Sequence, residues 1–230
     1  MSELSPLCAD PKILVEDLPG LTGALMHARQ TVLPKRLVAP GPDAAQLQQI
    51  LHAAATAPDH GRLRPWRFVQ VSDQGRGPLA DVFAAALQQR DARATPEEMA
   101  RAREKAHRAP LLLLAVVDGA CGDRGIDLNE RLVSLGCALQ NMLLMATAQG
   151  FGSALTSGKA LKEPQLHALF GLSRDELALC FVSVGTAHLR KPVGPRPEPR
   201  DFLTSLPAQQ PASGDRLAAP QLSLVIGCLP

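Results

Sequence analysis

The chain has no excess of charge of either sign and no paired cysteine motif. Its 230 residues contain 24 Lys and Arg against 22 Asp and Glu, a formal net charge of +2, and no basic run. This balance argues against a nucleic-acid or anionic-membrane surface. The five cysteines form no CxxC pair, and an odd number of widely spaced cysteines favours free thiols in a reducing compartment over a disulfide framework.

The sequence also lacks the marks of export, of membrane insertion and of two common reaction classes. No basic segment followed by an apolar one opens the chain, and polar residues interrupt its longest apolar stretch, so we expect a cytoplasmic protein. The six histidines show no paired metal-ligand spacing, and no GxSxG motif presents a nucleophilic serine. Zinc chemistry and serine hydrolysis are therefore disfavoured, and we expect no metal.

Composition divides the chain into one core and two terminal segments. Residues 1–22 are a leader whose structure the sequence leaves open, and residues 23–191 are the predicted domain. Residues 192–230 hold eight of the 20 prolines, which predicts an extended tail rather than a second domain. A hydrophobic fraction of 46% with 20% charged residues is typical of a globular protein with a buried core.

Local patterns predict alternating helices and strands in the core. Asp43 and Gln46 fit a capping box at the start of a helix that ends before Pro58, and Thr95 and Glu98 fit a second box. Three strands and one long helix are also predicted, at residues 66–71, 111–117, 177–184 and 129–149. The long helix is apolar around nearly its whole circumference, so it must be buried in a core or against another subunit.

The most distinctive stretch is residues 57–68, Ala-Pro-Asp-His-Gly-Arg-Leu-Arg-Pro-Trp-Arg-Phe. It places the only Trp, one His and three Arg at a predicted helix-to-strand corner, where binding loops lie on rigid scaffolds. A stiff turn with solvated arginines is the alternative, because Pro and Gly interrupt any loop. Either Trp66 packs in the core or against an interface, or it stacks on a ligand.

Two glycine-containing segments come close to nucleotide-binding motifs without matching them. Residues 150–155 begin like a dinucleotide fingerprint, but the third glycine is missing and the segment ends a helix instead of following a strand. Gly152 and Gly158 are separated by five residues where a phosphate loop has four, and Ala160 replaces the Ser or Thr that holds magnesium. Neither a Rossmann turn nor a phosphate loop is predicted.

Arg29-Gln30-Thr31 supplies a guanidinium, an amide and a hydroxyl in succession, a set suited to holding a phosphate. Alone the triplet is weak, because most such residues are solvated. Its combination with other short motifs is more specific: Arg36-Leu37, Ala57-Pro58-Asp59-His60, Pro65-Trp66-Arg67-Phe68, Gly136-Cys137-Ala138, Ala148-Gln149-Gly150-Phe151-Gly152, Ser157-Gly158 and Val184-Gly185-Thr186. Over roughly residues 22–195 the chain resembles the FMN-dependent nitroreductase family, and within it the YdjA-like branch.

The resemblance implies an α+β protein with a mixed, mainly antiparallel sheet flanked by helices, and a homodimer with FMN at the subunit interface. It implies an oxidoreductase that takes a hydride from NAD(P)H and reduces a nitroaromatic, a quinone or a similar small acceptor. Since the flavin N5 carries the hydride, no catalytic residue is assigned. Gln30, Thr56 and Thr156 replace basic residues of the family. A flavin sensor or carrier without turnover, or a protein of this fold that binds no flavin, therefore remains an alternative.

The resemblance also assigns FMN contacts. Arg29, Gln30 and Thr31 match a run that holds the FMN phosphate and ribityl chain. His60 matches a histidine that reaches the partner's flavin, unless it only caps a helix end, and Thr56 lies one helical turn before it. Three consecutive residues match a segment along the flavin: Leu155, Thr156 and Ser157.

The nicotinamide nucleotide and the remaining cations are assigned less directly. A run of six residues matches a segment associated with NAD(P): Met145, Ala146, Thr147, Ala148, Gln149 and Gly150. On charge alone, Lys35 or Arg36 is a candidate to stabilise the reduced flavin. Arg190 and Lys191 are further phosphate candidates on the same ground.

Overall fold

The computed structural model describes residues 11–188, 192 and 194–206 of the chain. Contacts divide the chain into one unit up to Val193 and another from Gly194 onward. In the second unit, Pro199–Asp201 form a single helical turn. Residues 1–10 of the predicted leader and 207–230 of the predicted tail lie outside the described residues, as do Arg190 and Lys191.

The described part of the first unit contains six α-helices and five strands. The helices are α1 (Pro11–Ala28), α2 (Ala44–Ala54), α3 (Asp73–Arg90), α4 (Pro96–Glu104), α5 (Leu128–Ala148) and α6 (Pro164–Leu169). The strands are β1 (Leu37–Val38), β2 (Trp66–Gln70), β3 (Leu111–Asp118), β4 (Gly152–Thr156) and β5 (Glu176–Ala187). Single helical turns lie at Pro34–Arg36, His60–Arg62, Lys105–His107 and Lys159–Lys162.

The helix starts follow the capping signals of the sequence. At α2 the Asp43 side chain accepts a hydrogen bond from the backbone N–H of Gln46 at 2.8 Å, and the Gln46 side chain accepts one from the backbone N–H of Asp43 at 3.0 Å. Thr95 and Glu98 form the same reciprocal box at α4. Each box satisfies two backbone donors that the first helical turn leaves unpaired. Both predicted helix starts are confirmed.

The strands form one sheet whose named pairs are all antiparallel, in the order β1-β5-β3-β2, with β4 also paired to β5. The parallel element is a single bridge between Thr31 and Ser153. The predicted fold class, a mainly antiparallel sheet flanked by helices, is therefore confirmed. All three predicted strands are present, and β5 is extended to 12 residues so that it pairs with three others.

The sheet buries both of its faces, which explains the unbroken apolar run of β3. Leu113, Ala115 and Val117 face a core shared with α2 and α5. Leu112 and Leu114 face a second core beneath α3 and α6. A strand buried on both faces needs apolar side chains at every position rather than at alternate ones. The side chains of β3 on one face therefore pack directly against α5.

The helix α1 crosses the boundary that composition placed at residue 22, and it contains Pro19. It packs against α5, so the triplet Arg29, Gln30 and Thr31, which follows α1, begins close to that helix. No helix among the described residues has both the length and the apolar character that crossing a bilayer requires.

Candidate functional site

A small pocket lies where the chain leaving α1 meets the end of α5 and the start of β4. Six residues line it: Ala28, Gln30, Val32, Thr147, Phe151 and Gly152. Gln30 belongs to the predicted phosphate triplet and Thr147 to the predicted nucleotide segment. The fold therefore brings parts of two candidate sets to one place.

The triplet is held there by the backbone of β4. The N–H of Val32 donates to the carbonyl of Ser153 at 2.9 Å, and Thr31 bridges Ser153. Val32 is buried, so it anchors the segment, whereas Arg29 and Gln30 are half-buried and Thr31 is exposed. Of the triplet, Gln30 therefore lines the pocket, and Arg29 and Thr31 flank it along the chain.

The turn between α5 and β4 brings the backbone close to its neighbours. Gly150 has a φ of +86°, a left-handed conformation that ends the helix and that glycine adopts without strain. At Gly152 a Cβ atom would meet Leu37 Cδ2 at 2.9 Å and Val32 Cγ2 at 3.0 Å. The chain passes this point only because no side chain is present, so the floor of the pocket is formed by backbone.

Two buried polar atoms at this end have no hydrogen-bond partner among the described residues, Ser153 Oγ and Gln149 Oε1. Gln149 uses its amide nitrogen to donate to the carbonyl of Gln46 at 3.2 Å and to Gln49 Oε1 at 2.8 Å, which fastens α5 to α2. Unpaired buried polar atoms are unfavourable and rare in native proteins. Hydrogen bonding at this end of α5 is thus incomplete within the single chain.

The predicted flavin-side segment continues from the same strand. Leu155 pairs with Val182, yet its side chain is 41% exposed, and Ser157 beyond the strand end is exposed. At the usual spacing along a strand, these residues lie about 7 to 13 Å from Ser153. A ligand that reaches from the triplet along β4 would meet them in order.

His60 and Thr56 lie in the segment that follows α2, and each contacts α5 away from the pocket. His60 Nδ1 lies 2.6 Å from Glu130 Oε2 in the first turn of that helix. Thr56 Oγ1 donates to the carbonyl of Ala53 at 2.8 Å and accepts from Asn141 Nδ2 at 3.0 Å. Both side chains thus bind α5, and the Thr56 hydroxyl also bonds a carbonyl in the last turn of α2.

The structure does not bring all predicted FMN residues together within one chain. His60 contacts the start of α5 at Glu130, while Gln30 shares its pocket with Thr147 near the end of the helix. Seventeen residues of α-helix separate these two positions, which corresponds to about 25 Å. His60 and the triplet of the same chain therefore lie near opposite ends of α5.

Trp66 packs in the core that α5 shares with the sheet, against Phe68 at 5.6 Å between ring centroids. Its indole N–H donates to Ser134 Oγ on α5 at 3.0 Å. This geometry is the structural role that an amphipathic ring fulfils when its polar atom finds a buried partner. The core alternative for Trp66 is the one that the structure shows.

Arg131 is a functional candidate that the sequence reasoning missed. Only 1% of it is exposed, and its guanidinium donates to the backbone carbonyls of Ile126, Cys121 and Asp123 at 2.7 to 3.0 Å. It also reaches the carbonyl of Asp118, at the end of β3, at 3.3 Å. One buried cation therefore organises the whole loop from 118 to 127. The available signal was an arginine at the start of a helix that is mostly apolar.

The remaining cations and thiols contribute little to this geometry. Arg36 ends the turn before β1, where its carbonyl accepts from the N–H of His188, and Lys35 is exposed beside it. Cys121, Cys137 and Cys180 are free thiols, and burial raises the pKa of Cys180 to about 11. Among the residues that the structure describes, no group of three His, Cys, Asp or Glu side chains could hold a metal.

Comparison with known proteins gives a consistent result. The sequence model of the Nitroreductase family matches residues 29–186. The Escherichia coli (strain K12) protein named "Putative NAD(P)H nitroreductase YdjA" is 34% identical over 172 residues, covering 74% of this chain and 91% of that protein.

Two solved structures are similar in fold at low identity. A nitroreductase-like family protein from Bacillus cereus has a TM-score of 0.66 at 18% identity, covering 80% of this chain and 95% of its own. The NADPH:FMN oxidoreductase from Vibrio harveyi, complexed with NAD+, has a TM-score of 0.63 at 19% identity. The match covers 82% of this chain and 78% of that one.

Proposed function

The chain belongs to the nitroreductase family, and from that premise we propose that it is an FMN-dependent oxidoreductase using NAD(P)H to reduce a small nitroaromatic, quinone or similar acceptor. The observation that carries the proposal is the partly exposed triplet Arg29, Gln30 and Thr31, held against β4 beside a pocket that includes Thr147. The NADPH:FMN oxidoreductase of Vibrio harveyi, which shares the fold, is named for these two cofactors.

The residues present suit a flavin mononucleotide. Arg29 offers a planar fork of donors that matches phosphate, and the Gln30 amide and Thr31 hydroxyl add neutral hydrogen bonds. Unpaired polar atoms at Ser153 and Gln149 and a backbone floor at Gly152 indicate a place where further hydrogen bonds are formed on ligand binding. When bound, the flavin supplies hydride acceptance from NAD(P)H and electron donation to the acceptor.

Each part of the chain then has a binding task. Arg29, Gln30 and Thr31 hold the phosphate and the ribityl chain. Leu155, Thr156 and Ser157 lie along the ring, where the exposed Leu155 excludes water from one edge. Lys35 or Arg36 adds positive potential that favours the anionic reduced ring, since a preorganised cation costs no reorganisation during the reaction.

The nucleotide segment contributes unequally. Ala146 is fully buried, so its side chain is not available to a ligand, and Met145 is partly buried and packs against the core. Thr147 lines the pocket, and Ala148 and Gly150 are exposed. Within 145–150 we therefore assign contacts with NAD(P)H to Thr147, Ala148 and Gly150, with Gln149 holding the turn against α2.

The separation of the two residue groups supports a homodimer with FMN at the interface. Since His60 lies about 25 Å along α5 from the pocket, it can serve only a flavin bound by a second copy. Val133 on the same helix is 66% exposed, and a Cβ at Gly136 would meet nothing within 4 Å. An apolar side chain and a bare backbone on one helix face provide a surface for close packing with a partner.

A flavin sensor or carrier without turnover is the second candidate, and the hydroxyl of Thr56 favours it. Where the resemblance expects an arginine, this hydroxyl is paired with Asn141 and the carbonyl of Ala53. The site thus has one cation fewer to favour the reduced flavin, which would slow turnover more than binding.

The visible absorption spectrum of the purified full-length protein tests both candidates. We expect flavin bands after FMN is added and the excess removed, bleaching on anaerobic addition of NADPH or NADH, and recovery when a nitroaromatic or a quinone is added. Bound flavin that neither nucleotide bleaches would establish the sensor or carrier instead. If the protein retains no FMN, both flavin functions are wrong.

A further inference from the structure

Resting on the proposed function, we infer that Glu130 is a positioning residue for His60. Its carboxylate binds the Nδ1 side of the imidazole and thereby presents Nε2 to the flavin of a second copy of this chain. Glu130 touches no cofactor in this arrangement and acts only through the histidine.

The hydrogen bond defines the state of the ring. His60 Nδ1 and Glu130 Oε2 are 2.6 Å apart, and an ionised carboxylate can only accept. Nδ1 therefore carries a proton, and Nε2 is the nitrogen left for another partner. The two side chains are 65% and 48% exposed, so a ligand can reach the ring. An exposed pair of this kind adds little stability, and its effect is mainly on orientation.

Glu130 is itself held in place by the start of α5. Asp127 caps the helix by accepting a hydrogen bond from the N–H of Glu130 at 3.0 Å. The next residue, Arg131, is buried and bonded to four carbonyls of the preceding loop. The carboxylate thus projects from a rigid backbone, as positioning requires.

The segment that carries His60 is equally constrained. Gly61, Arg62 and Arg64 all have positive φ, at 65°, 53° and 48°, and the N–H of Arg64 donates to Asp59 Oδ2 at 2.6 Å. A Cβ at Gly61 would lie 3.2 Å from Ile126 Cδ1, so the turn rests on the loop that Arg131 holds. Non-glycine residues at positive φ are strained, and such strain concentrates at functional sites.

The first experiment reads the tautomer without any cofactor. Long-range 1H–15N NMR of the full chain should show the His60 proton on Nδ1 in the wild type and in Glu130→Gln, whose amide oxygen still accepts. We expect Glu130→Ala to move the neutral ring toward the Nε2–H form that free histidine prefers, while Glu97→Ala, an exposed glutamate in the first turn of α4, leaves it unchanged. An unaltered tautomer in Glu130→Ala would overturn the proposal.

The second experiment measures coupling through FMN affinity. His60→Ala and Glu130→Ala should each raise the FMN dissociation constant about tenfold, as loss of one hydrogen bond does. The double variant should also lose only about tenfold, because both changes remove the same contact. Independent effects that multiply to about a hundredfold would contradict the inference. Glu130→Gln, whose amide oxygen still accepts, should stay within about threefold of wild type, which a role that depends on the negative charge would not allow.

These outcomes separate the inference from the proposed function. If the wild type binds no FMN, the proposed function fails while the tautomer measurement still reports on Glu130. If FMN binds and Arg29→Ala weakens it but Glu130→Ala does not, the proposed function holds and the inference about Glu130 is wrong.

Discussion

The two ends of α5 differ in how completely the chain satisfies its own polar groups. At the N-terminal end, Glu130 binds His60, Arg131 binds the loop before the helix, and Ser134 accepts from Trp66. At the C-terminal end, Gln149 Oε1 and Ser153 Oγ have no partner among the described residues, and the neighbouring triplet is accessible. The first end is built to hold a shape, and the second end leaves two buried polar atoms that a ligand could bond under the proposed function.

This difference has a physical reason. A site that must present one ring to another subunit needs a rigid backbone, and rigidity follows from buried, fully bonded groups such as Arg131. A site that encloses a polar cofactor needs donors and acceptors that the chain leaves unused. Substitutions of the buried groups at the N-terminal end, such as Arg131, should therefore change stability, whereas substitutions in the triplet beside the C-terminal end should change the affinity for a cofactor bound by the same chain.

Arg131→Met should give the largest effect. It removes a buried cation bonded to four backbone carbonyls and leaves those acceptors without a donor, so we expect a loss of about 3 kcal/mol in the free energy of unfolding. Urea denaturation followed by circular dichroism measures it. Arg124→Met, an exposed arginine of the same loop, is the matched control and should stay within about 0.5 kcal/mol of wild type. Equal stability of both variants would mean that Arg131 does not hold the loop.

Arg29→Ala, beside the C-terminal end of α5, should change FMN affinity more than stability. Loss of a charge-assisted contact with phosphate should weaken FMN binding by about 2 kcal/mol, or roughly thirtyfold, with a smaller change in stability than Arg131→Met causes. Titration with FMN followed by fluorescence quenching measures the affinity. Arg93→Ala, in the exposed turn after α3, should bind as the wild type does. Gln30→Arg should tighten binding. Unchanged FMN affinity in Arg29→Ala would mean that Arg29 does not bind the FMN phosphate.

Most of the fold was predictable because its signals are local. The capping boxes at Asp43 and Thr95 depend on residues three positions apart, and the buried run of β3 needs no knowledge of its neighbours. The helix α1 was not predicted, since Pro19 and a mixed composition hide its periodicity. The end of α1 nevertheless places the triplet Arg29, Gln30 and Thr31 beside β4, a contact that the sequence alone does not reveal.

The contacts that organise the site were not predictable from one sequence, because they join distant residues. Trp66 meets Ser134, His60 meets Glu130 and Gln149 meets Gln46, pairs separated by 68, 70 and 103 positions. Taken one at a time, each of these residues could equally be an ordinary core side chain or a solvated one. The sequence alone leaves Trp66 open between packing and stacking on a ligand, since the choice depends on where α5 lies over the sheet.

Trp66→Phe tests the N-terminal end with a smaller expected effect. The ring remains in the core, but the hydroxyl of Ser134, a residue 5% exposed, loses its donor, so stability should fall by about 1 kcal/mol. Adding Ser134→Ala to Trp66→Phe should restore part of that loss, because removing both partners is nearly neutral. The measurement is the same urea denaturation. A double variant less stable than the single one would show that the hydroxyl has another role.

The smallest expected effect on stability comes from the ion pair between Arg67 on β2 and Glu176 on β5. Arg67 donates from Nε at 2.6 Å and from Nη2 at 3.1 Å to the two carboxylate oxygens. These hydrogen bonds hold the pKa of Glu176 below its usual value of 4.5, against the opposing effect of burial. A carboxyl whose pKa is lower in the folded state stabilises the protein at neutral pH, and this contribution disappears as pH falls through that lowered pKa.

Glu176→Gln should therefore be less stable than wild type by at most about 1 kcal/mol at pH 7, because the arginine is nearly half exposed and water screens the pair. The difference should narrow as the pH is lowered below 4.5, when the wild-type carboxyl also becomes neutral. Arg67→Met should show the same dependence on pH. Urea denaturation of the three proteins between neutral and acidic pH measures it, and a difference that does not narrow would mean that shape rather than charge joins these strands.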